Sequence, residues 1–151
     1  MAALHIAVSS QPNFLSYRPL LDALEGPARD HATPQRTLFN AGLHIGYGSD
    51  SVPYDPLYGI WSAVTRRGAD GAVIGADERV TLQQAIRAYT IGSAWLTFDE
   101  TTRGSLEVGK LADMVVLDRD ILSVPPSVIK DLKVEQTVLG GAVVYTRSAV
   151  P

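Results

Sequence analysis

From Leu4 to about Phe98, apolar and polar positions switch repeatedly between the two-residue period of strands and the longer period of helices. Leu4 to Val8 alternates as Leu-His-Ile-Ala-Val and predicts a strand, with turn chemistry in Ser9-Ser10-Gln11-Pro12-Asn13 at its C-terminal end. Leu20, Leu21 and Leu24 share one face of a short predicted helix from Pro19 to Leu24, closed by Gly26-Pro27. Ala28 to Thr33 is polar and reads as a loop. Pro34 suits the first turn of a helix from Gln35 to Asn40, with Leu38 and Phe39 turned inward and Gly42 ending it. A short buried strand from Leu43 to Tyr47 follows. Gly48-Ser49-Asp50 places a turn and then a carboxylate where that strand ends.

Asp55-Pro56 opens a helix of about ten residues, with Asp as N-cap and Pro at the first position. Leu57, Ile60, Trp61 and Val64 form its apolar stripe, and Arg66-Arg67-Gly68 ends it with cations at the negative end of the dipole. Gly68 to Glu78 reads as a flexible connection. Thr81 is the expected N-cap of the strongest helix, about Leu82 to Leu96, with Ala85, Ile86, Tyr89 and Trp95 turned inward. Gly92 interrupts it near the end, where the helix packs closely or turns.

Beyond Phe98 the pattern becomes that of a small β unit. Two glycine turns flank a short extended segment over Gly104 to Asp113, and Met114-Val115-Val116-Leu117 predicts a buried strand. Val124-Pro125-Pro126 breaks the chain before a helical turn at Ser127 to Lys130. Lys133 to Leu139 alternates as a strand, Gly140-Gly141 makes a tight hairpin, and Val143-Val144-Tyr145 returns.

Composition narrows the function classes. The 151 residues are 46% hydrophobic and 19% charged, as expected of one folded domain with a core. A net charge of -3 with no basic patch argues against nucleic acid as a partner. No apolar run approaches the roughly 20 residues of a membrane span, so no membrane partner is expected. The N-terminus lacks the pattern of a secretory signal, and a cytoplasmic location is expected. The absence of cysteine removes disulfides, thiolate zinc sites and cysteine nucleophiles. No Gly-x-Ser-x-Gly elbow surrounds Ser49 or Ser51, which excludes a serine hydrolase reading.

The candidate catalytic residue is Asp50. Functional side chains in parallel α/β barrels come from strand C-termini, where the strand fixes the backbone and the loop exposes the side chain. A turn Asp that caps the next helix is the plainer reading of the same residue. Three segments bear on the choice: Gly48-Ser49-Asp50 with Pro53 and Asp55-Pro56-Leu57; Thr81 to Thr90; and Gly104-Ser105-Leu106-Glu107-Val108-Gly109-Lys110-Leu111-Ala112-Asp113 with the strand and hairpin after it. Together they resemble the C-terminal part of the amidohydrolase superfamily, in particular its amidohydrolase-3 branch, from about Leu4 onward.

The resemblance implies an α/β fold: the C-terminal part of a (β/α)8 barrel over residues 1–98, about two strand–helix units, and a closing β-sandwich segment over residues 99–151. It implies a metal-dependent hydrolase that uses metal-activated water on amide-like, cyclic C–N or ester bonds of a small-molecule substrate. In such an enzyme Asp50 inherits two roles, ligand of a divalent metal, zinc first, and general base. The family's other ligands lie earlier in the barrel, and no His-x-His occurs here. A catalytic zinc needs about three protein ligands. The chain therefore reads as a portion that begins near strand seven and is inactive alone, or as a non-catalytic assembly or binding module. His5, His31 and His44 lack ligand spacing; His44 is expected on the opposite strand face from its neighbours, and His31 in a loop. Tyr54 and Tyr58 flank the Asp50 turn, and Trp61, Tyr89 and Trp95 are expected in the core. Two strands cut from a barrel expose edges and an apolar face, so a homo-oligomer is expected.

Overall fold

The computed structural model describes residues 6–50 and 53–148. Strand β1 (Ala7–Ser10) pairs in parallel with β2 (His44–Tyr47), in the register Ala7 to His44 through Ser10 to Tyr47. Parallel neighbours require a crossover, and three short helices provide it: α1 (Arg18–Asp22), α2 (Gly26–Asp30) and α3 (Gln35–Asn40). After β2 come α4 (Pro56–Thr65) and a long helical segment of three pieces: α5 (Leu82–Arg87), a π-turn over Ala88–Gly92, and α6 (Ser93–Leu96). Strands β3 (Met114–Leu117), β4 (Val134–Leu139) and β5 (Ala142–Thr146) form a separate antiparallel sheet in that order.

Local chemistry accounts for the helix starts. The Asp55 side chain accepts the Leu57 amide at 2.8 Å, with Pro56 at the first position. Thr81 and Gln84 form a reciprocal capping box, at 2.9 and 3.1 Å. Gly140 and Gly141 both take positive φ, which the β4–β5 hairpin requires.

Five details depart from the sequence pattern. The first strand runs to Ser10, two residues past Val8; Leu4 and His5 lie outside the described residues. Gly26-Pro27 begins α2 instead of closing a helix, because Pro27 is tolerated in a first turn, and the supposed loop from Ala28 is helical to Asp30. The connection over 68–78 is pinned, with Arg67 bridging Val73 and the Ile74 amide donating to the Arg66 carbonyl at 2.9 Å. The strand expected to be buried, β3, is exposed at Met114, Val115 and Val116. Finally, Arg66 ends α4 as its C-cap, as the sequence predicts, but does so inside the protein. It takes a left-handed φ of 57° and is fully buried.

The main core joins Ile45, Tyr47, Ile60, Trp61, Ala63, Val80, Ala85, Ala88 and Ile129; a smaller one holds Leu15, Leu21, Ala32 and Ile74. Arg66 lies beside the smaller core and satisfies the backbone there. Its Nε donates to the carbonyls of Ile74 (2.9 Å) and Gly75 (3.2 Å). Nη1 donates to Thr33 O at 2.7 Å and Thr33 Oγ1 at 3.1 Å. Nη2 donates to Asp30 O at 3.3 Å and Ala32 O at 2.8 Å. Burial lowers its pKa from 12.5 to about 10, with Glu78 and Tyr47 opposing.

Glu78 is the other buried charged group of this region. Its carboxylate accepts the Thr37 amide at 2.9 Å, the Thr37 hydroxyl, and His31 Nδ1 at 3.2 Å. Burial favours its neutral form, but the Thr37 bonds and His31 outweigh burial and hold it below the usual carboxylate range. A depressed folded pKa gives stability that is present at neutral pH and lost as acid protonates the folded carboxylate. Thermal melts from neutral into acid pH are therefore expected to fall less steeply for Glu78→Gln than for wild type. Equal slopes would refute the assignment.

Candidate functional site

The C-terminal ends of β1 and β2 meet at one place, and the residues after each strand converge there. The Gly48 amide donates to Ser10 O at 3.0 Å, extending the parallel pairing one step past β2. Gln35 Nε2, fully buried at the start of α3, donates to Ser10 Oγ at 2.8 Å. A 3-10 turn over Pro12–Ser16 follows β1 and carries Asn13, which is 1% exposed. Asn13 Nδ2 donates to the carbonyls of Ser49 at 2.9 Å and Pro53 at 3.3 Å. Ser49 Oγ donates to Tyr54 O at 2.8 Å, which commits that hydroxyl to the loop.

Asp50 stands at the head of this arrangement. It lies three residues beyond β2, is exposed, and holds a left-handed φ of 55°. Positive φ is uncommon outside glycine, although Asp tolerates it better than bulkier residues. The helix cap that could have explained Asp50 falls to Asp55 instead.

Two phenols, Tyr47 buried and Tyr89 half-buried, pack together behind β2. Tyr47 and Tyr89 meet edge to face with centroids 5.3 Å apart, and Phe39 closes on Tyr47 at 6.5 Å. Burial, aided by Tyr89 and opposed by Arg66, pushes the Tyr47 hydroxyl well above its ordinary range. Burial pushes Tyr89 up to about 12, with Asp55 adding to the rise and Ser49 opposing it. Both remain protonated near neutral pH and so present neutral hydroxyls. Tyr54 is exposed, whereas Tyr58 shares a 2.6 Å hydrogen bond with Ser16 and tilts against Trp61.

The histidines are dispersed. His44 stacks on Trp95 at 3.7 Å with the rings parallel, and His31 bonds Glu78. His5 and Ser51 lie outside the described residues. Among the described residues, no group of three or more His, Cys, Asp or Glu is placed to hold a metal ion. A divalent metal needs a fuller donor set than Asp50 alone, so the residues described here do not by themselves fit one.

Asn13 is the residue that sequence reading passed over. Its signal was its place after β1 at a strand C-terminus, the position that had singled out Asp50 on β2.

A parallel βαβ pair with a carboxylate at the C-terminal end of a strand is the geometry of α/β enzymes that build sites at strand ends. The chain belongs to the amidohydrolase family, whose model matches residues 1–145. It is 33% identical over 154 residues to the Bacillus subtilis protein named as amidohydrolase YtcJ, covering 97% of this chain and 29% of that protein. It is 31% identical to the N-substituted formamide deformylase of Arthrobacter pascens, covering 98% of this chain and 28% of the relative. An uncharacterized metal-dependent hydrolase from Pyrococcus horikoshii superposes with a TM-score of 0.69 and 28% identity, over 82% of this chain and 26% of that one. The chain thus spans less than a third of the length of each of these three proteins.

Proposed function

We propose that this chain is the closing portion of a (β/α)8 hydrolase barrel that breaks a C–N bond of a small amide-like or cyclic substrate, or an ester, and that Asp50 is its catalytic carboxylate. The observation that carries the reading is the conformation of Asp50: exposed, held at positive φ, and released from capping by Asp55. In this role Asp50 takes a proton from the attacking water as the C–O bond forms and returns it to the leaving nitrogen or oxygen as its bond to carbon breaks. A divalent metal, zinc first, would be held by Asp50 together with donors outside the described residues. The deformylase named for N-substituted formamides supports a C–N substrate. The exposed β3–β5 sheet supports a β-sandwich segment that wants a second layer, and with it association into a homo-oligomer.

One observation favours a second reading, a non-catalytic assembly or binding module. Among the described residues a single candidate ligand stands at the strand ends, while much apolar sheet surface is open.

Metal content and particle size, measured on chain purified with zinc or manganese, separate the two. Stoichiometric metal that is lost in Asp50→Ala, in a particle larger than a monomer, is the result expected of the hydrolase reading. A monomer without bound metal would overturn metal binding by this chain and favour the module.

A further inference from the structure

We propose that Asn13 is a positioning residue for Asp50: a buried amide that holds the two sides of the Asp50 loop together and so fixes where its carboxylate points. The proposal rests on the reading of Asp50 as the catalytic carboxylate.

A non-glycine residue keeps a left-handed backbone only where its surroundings over-determine it. Here the restraint is visible. The two carbonyls that receive Asn13 Nδ2 belong to Ser49 and Pro53, on either side of Asp50 in sequence. Asn13 is itself held at both ends of its turn. Pro12 O accepts the Ser62 hydroxyl at 2.8 Å, and Ser16 Oγ bonds the Tyr58 hydroxyl at 2.6 Å. Ser62 and Tyr58 both belong to α4, the helix that begins just after Pro53. A closed circuit therefore runs from the end of β1 through Asn13 to the Asp50 loop, into α4, and back to the turn that carries Asn13.

The circuit needs a side chain that donates twice from one short arm. The two hydrogens of an Asn amide do this. An Asp of the same shape has none when ionised and sets its own oxygens against both carbonyls. That contrast isolates the hydrogen bonds from the volume.

The test is backbone amide dynamics by nitrogen relaxation on the whole chain, for wild type, Asn13→Asp and Asn13→Ser. In wild type the Asp50 amide is expected to be as rigid as those of Ile45 and Ile60, with an order parameter of about 0.85. In Asn13→Asp near neutral pH it is expected to fall below about 0.6, with Ile45 and Ile60 unchanged. Mild acidification, which gives the new carboxyl a hydrogen to donate, is expected to restore part of the order in that variant. Asn13→Ser, which keeps one donor on a shorter arm, is expected to fall between wild type and Asn13→Asp. Unchanged order at Asp50 in both variants would overturn the proposal. So would loss of order at Ile45 and Ile60 along with Asp50, which would make Asn13 a general support of the fold. These readings need neither metal nor substrate, so a chain that binds no metal would overturn metal binding by this chain and favour the module while leaving the tie between Asn13 and Asp50 measurable.

Discussion

Arg66→Met is expected to cost about 4 kcal/mol of stability, as a shift of the urea midpoint with an unchanged slope. The apolar stem would keep much of the packing, but five carbonyls would lose their shared donor: those of Ala32 and Ile74, whose bonds are buried, and those of Asp30, Thr33 and Gly75, whose bonds are part-buried. Buried acceptors left without a partner lose their hydration and receive nothing in return. Against a total stability of about 5–15 kcal/mol for a domain, that loss is large. Lysine at this position carries three donors on a single nitrogen and cannot span the same fork, so Arg66→Lys should recover less than half of the difference. A loss below about 1 kcal/mol for Arg66→Met would mean that water takes over the carbonyls.

Gly92→Ala should act against the usual sign. In an ordinary helix interior, alanine is better than glycine by about 1 kcal/mol. Here a Cβ on Gly92 would lie 2.1 Å from Ile45 O, a backbone atom of β2 that cannot move aside alone. Overpacking of this kind costs about 3 kcal/mol, and for a chain of this size a melting temperature lower by about 10 °C is the expected readout. An unchanged or raised melting temperature would show that the π-turn can slide away from β2. The neighbouring residue supplies a reason for the turn itself. Ser93 Oγ donates to Tyr47 O at 3.1 Å as well as to Ala88 O at 2.9 Å, so the widened turn brings a donor to a strand carbonyl.

What could be read from the sequence was governed by local chemistry. Asp55-Pro56 and Thr81 with Gln84 mark helix starts because a cap needs only residues two or three positions apart. Gly92 was legible as a close contact, though not the strand it touches. Arg66 was not legible, because its partners lie up to 36 positions away and a cation after a helix has a simpler explanation. The same long-range bonds order the connection over 68–78, whose own composition reads as loose. β3 misled for the opposite reason. Four apolar residues in a row predict burial, but burial requires a second layer, and within the described residues none covers Met114, Val115 or Val116.

At the site, strand ends and the Asp50 carboxylate could be placed from turn residues, whereas the support beneath them could not. Asn13 reads as turn chemistry after Pro12, and nothing nearby reveals that its amide reaches the carbonyls of Ser49 and Pro53, 36 and 40 positions away. Tyr89 reads as a core aromatic and Tyr47 as the end of a short buried strand. Their convergence depends on how the π-turn seats against β2.

Ile129 lies in the short helical turn over Pro126–Asp131, is fully buried, and completes a core that includes Ile45. The two residues are 129 minus 45, or 84, positions apart. At translation rates of about 5–20 residues per second, a ribosome needs about 4–17 s to add the second after the first. During that interval the apolar faces of β2, α4 and α5 are made one after another, without Ile129 to complete their core. The nascent chain therefore passes through a long window of exposed hydrophobic surface, and in a cell its yield would depend on what shields it until Ile129 arrives.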